Sequence, residues 1–181
     1  MPKTQLRKLL MGEANGIKNA EIKKMTKGFL LSAPDYFWTA PSSRNHHPPD
    51  ERSEGGLALH TLRVVKMADL ICDSENSDQA TMDVIKSACI LHDIRRYGPK
   101  KRPSSYSVEN HPDLAADLVE SYGEKWEPLP RTLCPAIAGC IRTHMGRWGR
   151  LKPKTKEQVM VHLADCLAAH VNEIMEVTNE D

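Results

Sequence analysis

The sequence of 181 residues has few aromatic side chains, no long apolar run and almost no net charge. Aromatic residues make up only 5% of the chain. No apolar run approaches the roughly 20 residues that span a bilayer, so we expect no contact with a membrane. The formal net charge of +1 gives no global field that would attract a polyanion. Long duplex DNA is therefore not expected as the main partner.

Paired cysteines are also absent from the sequence. The five cysteines form no C-x-x-C pair, and several lie on apolar helical faces. This usage is typical of buried, reduced thiols and not of a disulfide framework. The first 16 residues lack the apolar stretch of a secretory signal. Both observations predict a cytoplasmic protein.

Apolar residues recur with helical spacing along most of the chain, and no segment shows the alternation of a strand. Residues 3–31 are expected to form one or two helices, with a break at Asn15-Gly16, before a proline-rich loop over residues 32–54. Five further helices are predicted over residues 55–72, 80–96, 110–122, 131–144 and 155–177. The sequence thus predicts an all-α protein.

Two features refine this prediction. Thr155 and Gln158 have the spacing of a capping box, which would open the last helix. The proline-rich loop separates an N-terminal helical extension, residues 1–35, from the main helical domain, residues 36–177. The extension could pack on that domain or form a homo-oligomer.

The pair His92-Asp93 follows a run of apolar residues at the end of a predicted helix. Burying an unpaired carboxylate is costly. A divalent metal ion removes this cost because it binds an imidazole nitrogen and a carboxylate oxygen together. Neighbouring side chains on a helix point roughly 100° apart, so such a site needs ligands from other helices.

Four more candidate ligands occur on other predicted helices: His60, His111, His144 and Asp165. His60 and Asp165 would complete a set of two histidines and two carboxylates, which suits Mn, Fe, Co, Ni or Zn better than Ca or Mg. His111 and His144 could serve a second ion, with the aspartate of the pair bridging the two. One or two divalent transition-metal ions are therefore expected. His162 is expected to pack near the ligands without binding metal.

In chain order these residues form the pattern His…His-Asp…His…His…Asp, which resembles the HD-domain superfamily of metal-dependent phosphohydrolases. The resemblance covers about residues 36–176. It includes Ser53-Glu54-Gly55-Gly56-Leu57, Tyr97-Gly98, and the stretches HPDLAADLV, THMGRW and PKTKEQVMVHLAD. The sequence is similar to small stand-alone HD proteins of bacteria and phages, and to the HD domain of certain 3′–5′ exoribonucleases.

The resemblance implies an HD-domain helical bundle with five core helices and a hydrolase of phosphoesters that acts through a metal-bound hydroxide. The substrate would be a nucleotide or a nucleic-acid end. The implied ligands of the first metal are His60, His92, Asp93 and Asp165. The implied ligands of the second metal are His111 and His144. Asp93 and Arg96 are the expected catalytic residues. Many members have lysine where this chain has Arg96, which keeps the positive charge and adds a bidentate donor pair.

Basic and aromatic residues near the predicted site are candidates for substrate binding: His47, Arg96, Lys100, Lys101 and Trp148. The basic loop after the metal pair could bind phosphate, although such runs are usually solvated surface. Trp148 could stack on a base, or serve only as a lid or packing residue. His47, like His46, lies in a proline-bounded loop that could reach a substrate or stay exposed.

Two other functional classes are kept open. A few HD proteins use the same six ligands to hold two irons and activate O₂, so one alternative is a diiron oxygenase. The other is a non-catalytic module that binds a nucleotide or an oligonucleotide. For the hydrolase and for the binding module, the expected partner is a phosphorylated small molecule, a nucleotide or a single-stranded nucleic-acid end.

Overall fold

The computed structural model describes residues 1–43, 47–125 and 133–170. Within these ranges the chain forms eight α-helices and no strand, which confirms the all-α prediction. In chain order the helices are α1 (Lys3–Gly16), α2 (Ala20–Leu31), α3 (Asp35–Thr39), α4 (Gly56–Ser74), α5 (Gln79–Leu91), α6 (His111–Lys125), α7 (Leu133–Thr143) and α8 (Lys156–His170). Short 3₁₀ turns span Pro49–Arg52 and Gly146–Trp148.

The centre of the bundle is formed by α4 and α5. Helix α4 packs against α5 and α8, α5 also packs against α7 and α8, and α6 lies against α7. The facing sides of these helices are apolar and fully buried, as at Leu62 of α4, Ile85 of α5 and Ile141 of α7. Each such side chain contributes about 1.5–3 kcal/mol through its removal from water. This core fixes the helix ends on which the candidate site is built.

The first two helices add to the same core. Leu6 and Leu10 of α1 and Ile22 and Met25 of α2 are buried in one apolar cluster with residues of α4 and α5. Helix α1 packs against α4 and α5, and α2 packs against α5. These two helices thus share one apolar core with the helices that follow. The domain boundary at residue 35 stays a prediction.

Two helix ends agree with the sequence signals. Helix α1 ends at Gly16, which confirms the predicted break. At the start of α8, the Gln158 N–H donates to Thr155 Oγ1 at 3.4 Å, and the Thr155 N–H donates to Gln158 Oε1 at 3.4 Å. These two hydrogen bonds form the predicted capping box. The predicted continuation of α8 to residue 177 lies outside the described residues.

The prediction of a loop over residues 32–54 was wrong in part. Helix α3 lies in this stretch and buries Phe37 and Trp38, while the 3₁₀ turn Pro49–Arg52 buries Glu51. Pro34 precedes α3 in an extended conformation, where a missing backbone N–H costs nothing. Prolines at such positions look like loop signals in a sequence even when they precede helical turns.

The predicted helix over residues 80–96 was too long, because α5 ends at Leu91. Residues 92–97 form turns instead, in which the Ile94 N–H donates to Leu91 O at 3.1 Å and the Arg96 N–H donates to Asp93 O at 3.0 Å. His92 directly follows α5 and keeps helical backbone angles, with φ of −54° and ψ of −41°. His92 and Asp93 nevertheless face one site, where His92 Nε2 lies 3.5 Å from Asp93 Oδ2.

Candidate metal centre

Five elements bring the six predicted metal ligands together. His60 lies in α4, His92 and Asp93 follow α5, His111 opens α6, His144 follows α7, and Asp165 lies in α8. We call these six residues the floor of the site. All are buried except Asp165, whose side chain is 16% exposed.

Short distances join the floor residues. Asp165 Oδ1 lies 2.9 Å from His60 Nε2 and 3.8 Å from His92 Nε2. Asp93 Oδ2 is 3.5 Å from His92 Nε2. The other Asp93 oxygen, Oδ1, is 3.2 Å from His111 Nε2 and 3.7 Å from His144 Nε2. Asp93 thus lies between His92 on one side and His111 and His144 on the other.

Three of the four floor histidines are oriented by backbone carbonyls. His92 Nδ1 donates to Cys89 O, His111 Nδ1 to Val108 O and His144 Nδ1 to Ile141 O, each at 2.7 Å. A neutral imidazole has one N–H, so these bonds leave Nε2 of each ring as an electron-pair donor. All three Nε2 atoms point into the floor, as metal-binding histidines require.

The resulting set of atoms fits a divalent cation. His92 Nε2 and Asp93 Oδ1 are buried without a hydrogen-bond partner among the described residues. His111 Nε2 and His144 Nε2 lie 3.3 Å apart, and with both protons on Nδ1 neither can donate to the other. Buried acceptors without donors are costly. Among the described residues, His60, His92 and Asp165 form one group that could hold a metal, and His92, Asp93 and His144 form another.

Charge within the floor is balanced by Arg96. Its Nη1 donates to Asp93 Oδ2 at 2.5 Å, and its side chain is only 15% exposed. Burial by itself would raise the pKa of Asp93, but the guanidinium of Arg96 holds that pKa well below its usual range. Asp93 is therefore ionised and able to bind a cation.

Two floor histidines have opposite shifts in pKa. Burial lowers the pKa of His144 to about 3, so its ring is neutral. Burial would also lower the pKa of His60, but its hydrogen bond with Asp165 and the nearby carboxylate of Glu51 raise it to about 9. A divalent ion at this place would replace the proton between His60 and Asp165, since metal binding requires a neutral imidazole.

Glu51 is a site residue that the sequence analysis missed. It is fully buried, and its Oε2 accepts from His47 Nδ1 at 2.7 Å and lies 3.2 Å from His60 Nδ1. Its Oε1 accepts from Arg63 Nη1 at 2.7 Å. Burial would raise the pKa of Glu51, but its neighbours His47, His60 and Arg63 lower it to about 2. The sequence does contain a signal for Arg63, because this residue lies about one turn after His60 on a predicted helix and therefore on the same face.

Two glycines bring Glu51 to α4. Gly55 precedes the helix with φ of 81°, a left-handed conformation that favours glycine. A Cβ on Gly56 would lie 1.9 Å from the carbonyl oxygen of Glu51, so only glycine allows this close approach. The Gly-Gly pair before His60 thus has a physical role in placing Glu51 beneath it.

His47 and His162 lie beside the floor. His47 is 8% exposed, and its Nδ1 contacts Glu51 and Ser42 Oγ, the latter at 3.1 Å. Its predicted contact with substrate stays a prediction, and His46 lies outside the described residues. His162 Nδ1 donates to the carbonyl of His144 at 2.6 Å, in agreement with the expected packing role.

A groove of about 310 Å³ lies beside the floor and is lined by His111, Trp148 and Arg150, among others. Trp148 is 59% exposed, and the Arg147 guanidinium lies 4.4 Å from the centre of its ring. The Arg150 side chain is 74% exposed. Lys100 and Lys101 are exposed and do not line this groove, and Lys100 Nζ donates to Ser32 O at 3.2 Å. We call Trp148, Arg150, Lys100 and Lys101 the rim.

The helical bundle and its converging histidines and aspartates define a known class of protein. The family model of the HD domain matches residues 57–170. The chain therefore belongs to the HD-domain family, as its sequence pattern predicted. All six floor residues lie within the matched range.

Two kinds of curated relatives resemble the chain. The 3′–5′ exoribonuclease YhaM of Listeria monocytogenes serotype 4b is 23% identical over 165 residues, which cover 86% of this chain and 51% of the relative. The dihydroneopterin 2′,3′-cyclic phosphate phosphodiesterase of Methanocaldococcus jannaschii is 27% identical over 180 residues, which cover 89% of this chain and 68% of the relative. The chain spans about half the length of the exoribonuclease. No solved structure gave a match.

The described residues contain no helix that is both long and apolar enough to cross a membrane. The five cysteines are free, and four of them are buried.

Proposed function

We propose that the chain is a metal-dependent hydrolase of phosphoesters, and that it cleaves phosphodiester bonds of a nucleotide or a nucleic-acid end. The observation that carries this proposal is the buried floor, where six nitrogen- and oxygen-bearing side chains from five elements converge, and where His92 Nε2 and Asp93 Oδ1 are buried without a hydrogen-bond donor among the described residues. Membership of the HD-domain family supports the reaction type. The two curated relatives have names that both describe cleavage of a phosphodiester, which supports the bond.

The floor residues have separable roles in this reaction. His60, His92, Asp93 and Asp165 would hold one divalent ion, and His111 and His144 would hold a second with Asp93. Such ions polarise a phosphoryl oxygen and lower the pKa of a bound water. The hydrogen bonds from Nδ1 to backbone carbonyls keep three of the histidines oriented. The mixture of imidazole and carboxylate supports Mn, Fe, Co, Ni or Zn as the metal.

Arg96 and the groove provide for the substrate. Arg96 places a fixed positive charge beside Asp93, where it offsets negative charge that develops on the phosphoryl oxygens. The exposed indole of Trp148 lines the groove next to His111, so a base could stack there while its phosphate reaches the floor. This arrangement favours a nucleotide or a single-stranded end over a small inorganic phosphate.

The test is product release by the Mn²⁺-loaded protein from a panel of phosphoesters. The panel contains nucleoside monophosphates, 2′,3′-cyclic nucleotides and short single-stranded RNA, assayed with and without O₂. We expect turnover of a phosphodiester without O₂, no turnover by Asp93→Ala, and normal turnover by Glu13→Gln, which removes a carboxylate that pairs with Lys66 and Lys86 away from the floor.

Other outcomes would contradict the proposal. Turnover that requires iron, a reductant and O₂ would indicate the diiron oxygenase. Tight binding of an oligonucleotide by the metal-loaded protein, with no product, would indicate the non-catalytic module.

A further inference from the structure

His60 differs from the other three floor histidines in what surrounds its Nδ1. His92 and His144 lie just beyond the C-terminal ends of α5 and α7, where the last backbone carbonyls lack helical partners and can accept from a side chain. His111 opens α6, and its Nδ1 donates to the carbonyl of Val108, which precedes the helix. His60 lies in the second turn of α4, where carbonyls already accept backbone bonds. The Leu57 carbonyl, three residues before it, also accepts from Thr61 Oγ1 at 2.9 Å. His60 therefore needs another acceptor for its Nδ1.

Glu51 is the acceptor that lies beside it. Glu51 Oε2 is 3.2 Å from His60 Nδ1, although the contact lacks the alignment of a full hydrogen bond. When His60 binds a metal through Nε2, its remaining proton must be on Nδ1. That proton is buried, and a buried N–H without an acceptor is costly. The carboxylate of Glu51 removes this cost after a small rotation of the ring.

The surroundings of Glu51 argue against a simpler role as a ligand of another cation. His47, Glu51 and His60 form a group that could by its geometry hold a metal. However, Arg63 Nη1 already occupies Glu51 Oε1 at 2.7 Å, and the His47 ring lies against that of His60 with 4.5 Å between centroids. The guanidinium supplies the positive charge that a cation would bring.

We propose that Glu51 is a positioning residue for His60, which holds the ring so that its Nε2 faces Asp165 and the metal. Arg63 keeps Glu51 in place, and it is itself fixed by Asp50 through bonds of 2.9 Å and 2.5 Å. This inference rests on the proposed function, since it requires His60 to be a metal ligand.

The first test is the affinity of the full chain for Mn²⁺, measured by competition with a chromophoric chelator. We expect Glu51→Ala to weaken binding by roughly 10- to 100-fold, the usual effect of removing an outer partner of a metal-bound histidine. Glu51→Gln should lie between Glu51→Ala and the wild type, because its amide oxygen still accepts from Nδ1. Glu13→Gln is the matched control, since it also removes a paired and partly buried carboxylate.

A second readout is the proton position on His60 in the Zn²⁺-loaded protein, from ¹⁵N NMR, with the signal assigned by its loss in His60→Asn. The proposal expects His60 in the wild type to carry its proton on Nδ1. Wild-type affinity in folded Glu51→Gln and Glu51→Ala would overturn it, and if Glu51→Ala does not fold, Glu51→Gln decides alone. A wild type that binds Mn²⁺ tightly but hydrolyses nothing contradicts only the proposed function, whereas a wild type that binds no metal contradicts both.

Discussion

The floor of the candidate site is almost completely buried, whereas Trp148 at its rim is 59% exposed and the Arg150 side chain is 74% exposed. Backbone carbonyls hold three floor histidines at 2.7 Å. At the rim, Lys100 makes one exposed hydrogen bond of 3.2 Å, and Arg150 contacts Asp113 at 3.4 Å. The floor is thus fixed by the fold, whereas the rim side chains are exposed to solvent.

From this difference in burial we infer different roles for the floor and the rim. Buried charges interact strongly and keep a defined geometry, which chemistry on phosphorus requires. Exposed charges are screened by salt and contribute little individually. We therefore expect floor substitutions to remove the reaction and rim substitutions to change the affinity for substrate.

The largest effect is expected from His92→Ala, which should abolish both metal binding and turnover. The change removes a proposed ligand nitrogen that is completely buried next to Asp93 and Asp165. Metal content after dialysis and product release measure the two effects. His170→Ala is a suitable control because His170 is exposed on α8 and bonds only to Cys166 O in the described structure. Persistent activity in both His92→Ala and Asp93→Ala would rule out the metal centre.

A smaller effect is expected at Arg96, which pairs with the floor residue Asp93. Arg96→Ala should lower kcat by about 10²- to 10³-fold, as the loss of one stabilising group for developing charge usually does. Metal should still bind, because the ligands are intact. Arg96→Lys should recover part of the rate, since it keeps a cation near Asp93. If kcat is unchanged in Arg96→Ala, Arg96 only neutralises Asp93 and has no part in the reaction.

Most of the floor was predictable from the sequence, because its residues are marked by local signals. His92-Asp93 follows an apolar run, and His111 opens a helix. The order of these residues along the chain also matches a family pattern. The distances between them were not predictable, since they depend on how five helices pack.

Glu51 shows what the sequence could not reveal. Its burial depends on the close approach of its own backbone to Gly56, a contact between two segments that no periodicity describes. The same segment was expected to be a loop, in which a glutamate is normally solvated. For His47 the sequence left open a contact with substrate or an exposed position, and the structure shows a buried ring whose Nδ1 is turned towards Glu51. Its contact with substrate stays a prediction.

At the rim, Trp148→Ala should weaken substrate binding and leave kcat nearly unchanged. Loss of one stacked base costs about 1–3 kcal/mol, or roughly 5- to 150-fold in KM when KM reports binding. Trp148→Phe should keep most of the affinity because it retains an aromatic face. Steady-state kinetics on a single-stranded RNA substrate separate KM from kcat. Equal KM values for all three proteins would make Trp148 a packing residue beside His162.

The smallest effect is expected at Lys100 and Lys101. Both are exposed, neither lines the groove beside His111, and their charges are screened by solvent. Lys100→Ala and Lys101→Ala should each lower kcat/KM by about fivefold or less, the range of exposed ion pairs. This loss should shrink further in high salt, which can be measured by repeating the assay across ionic strengths. A loss as large as that of Arg96→Ala, and insensitive to salt, would contradict this expectation. It would indicate that the substrate phosphate binds at the basic loop and that these lysines take part in the reaction.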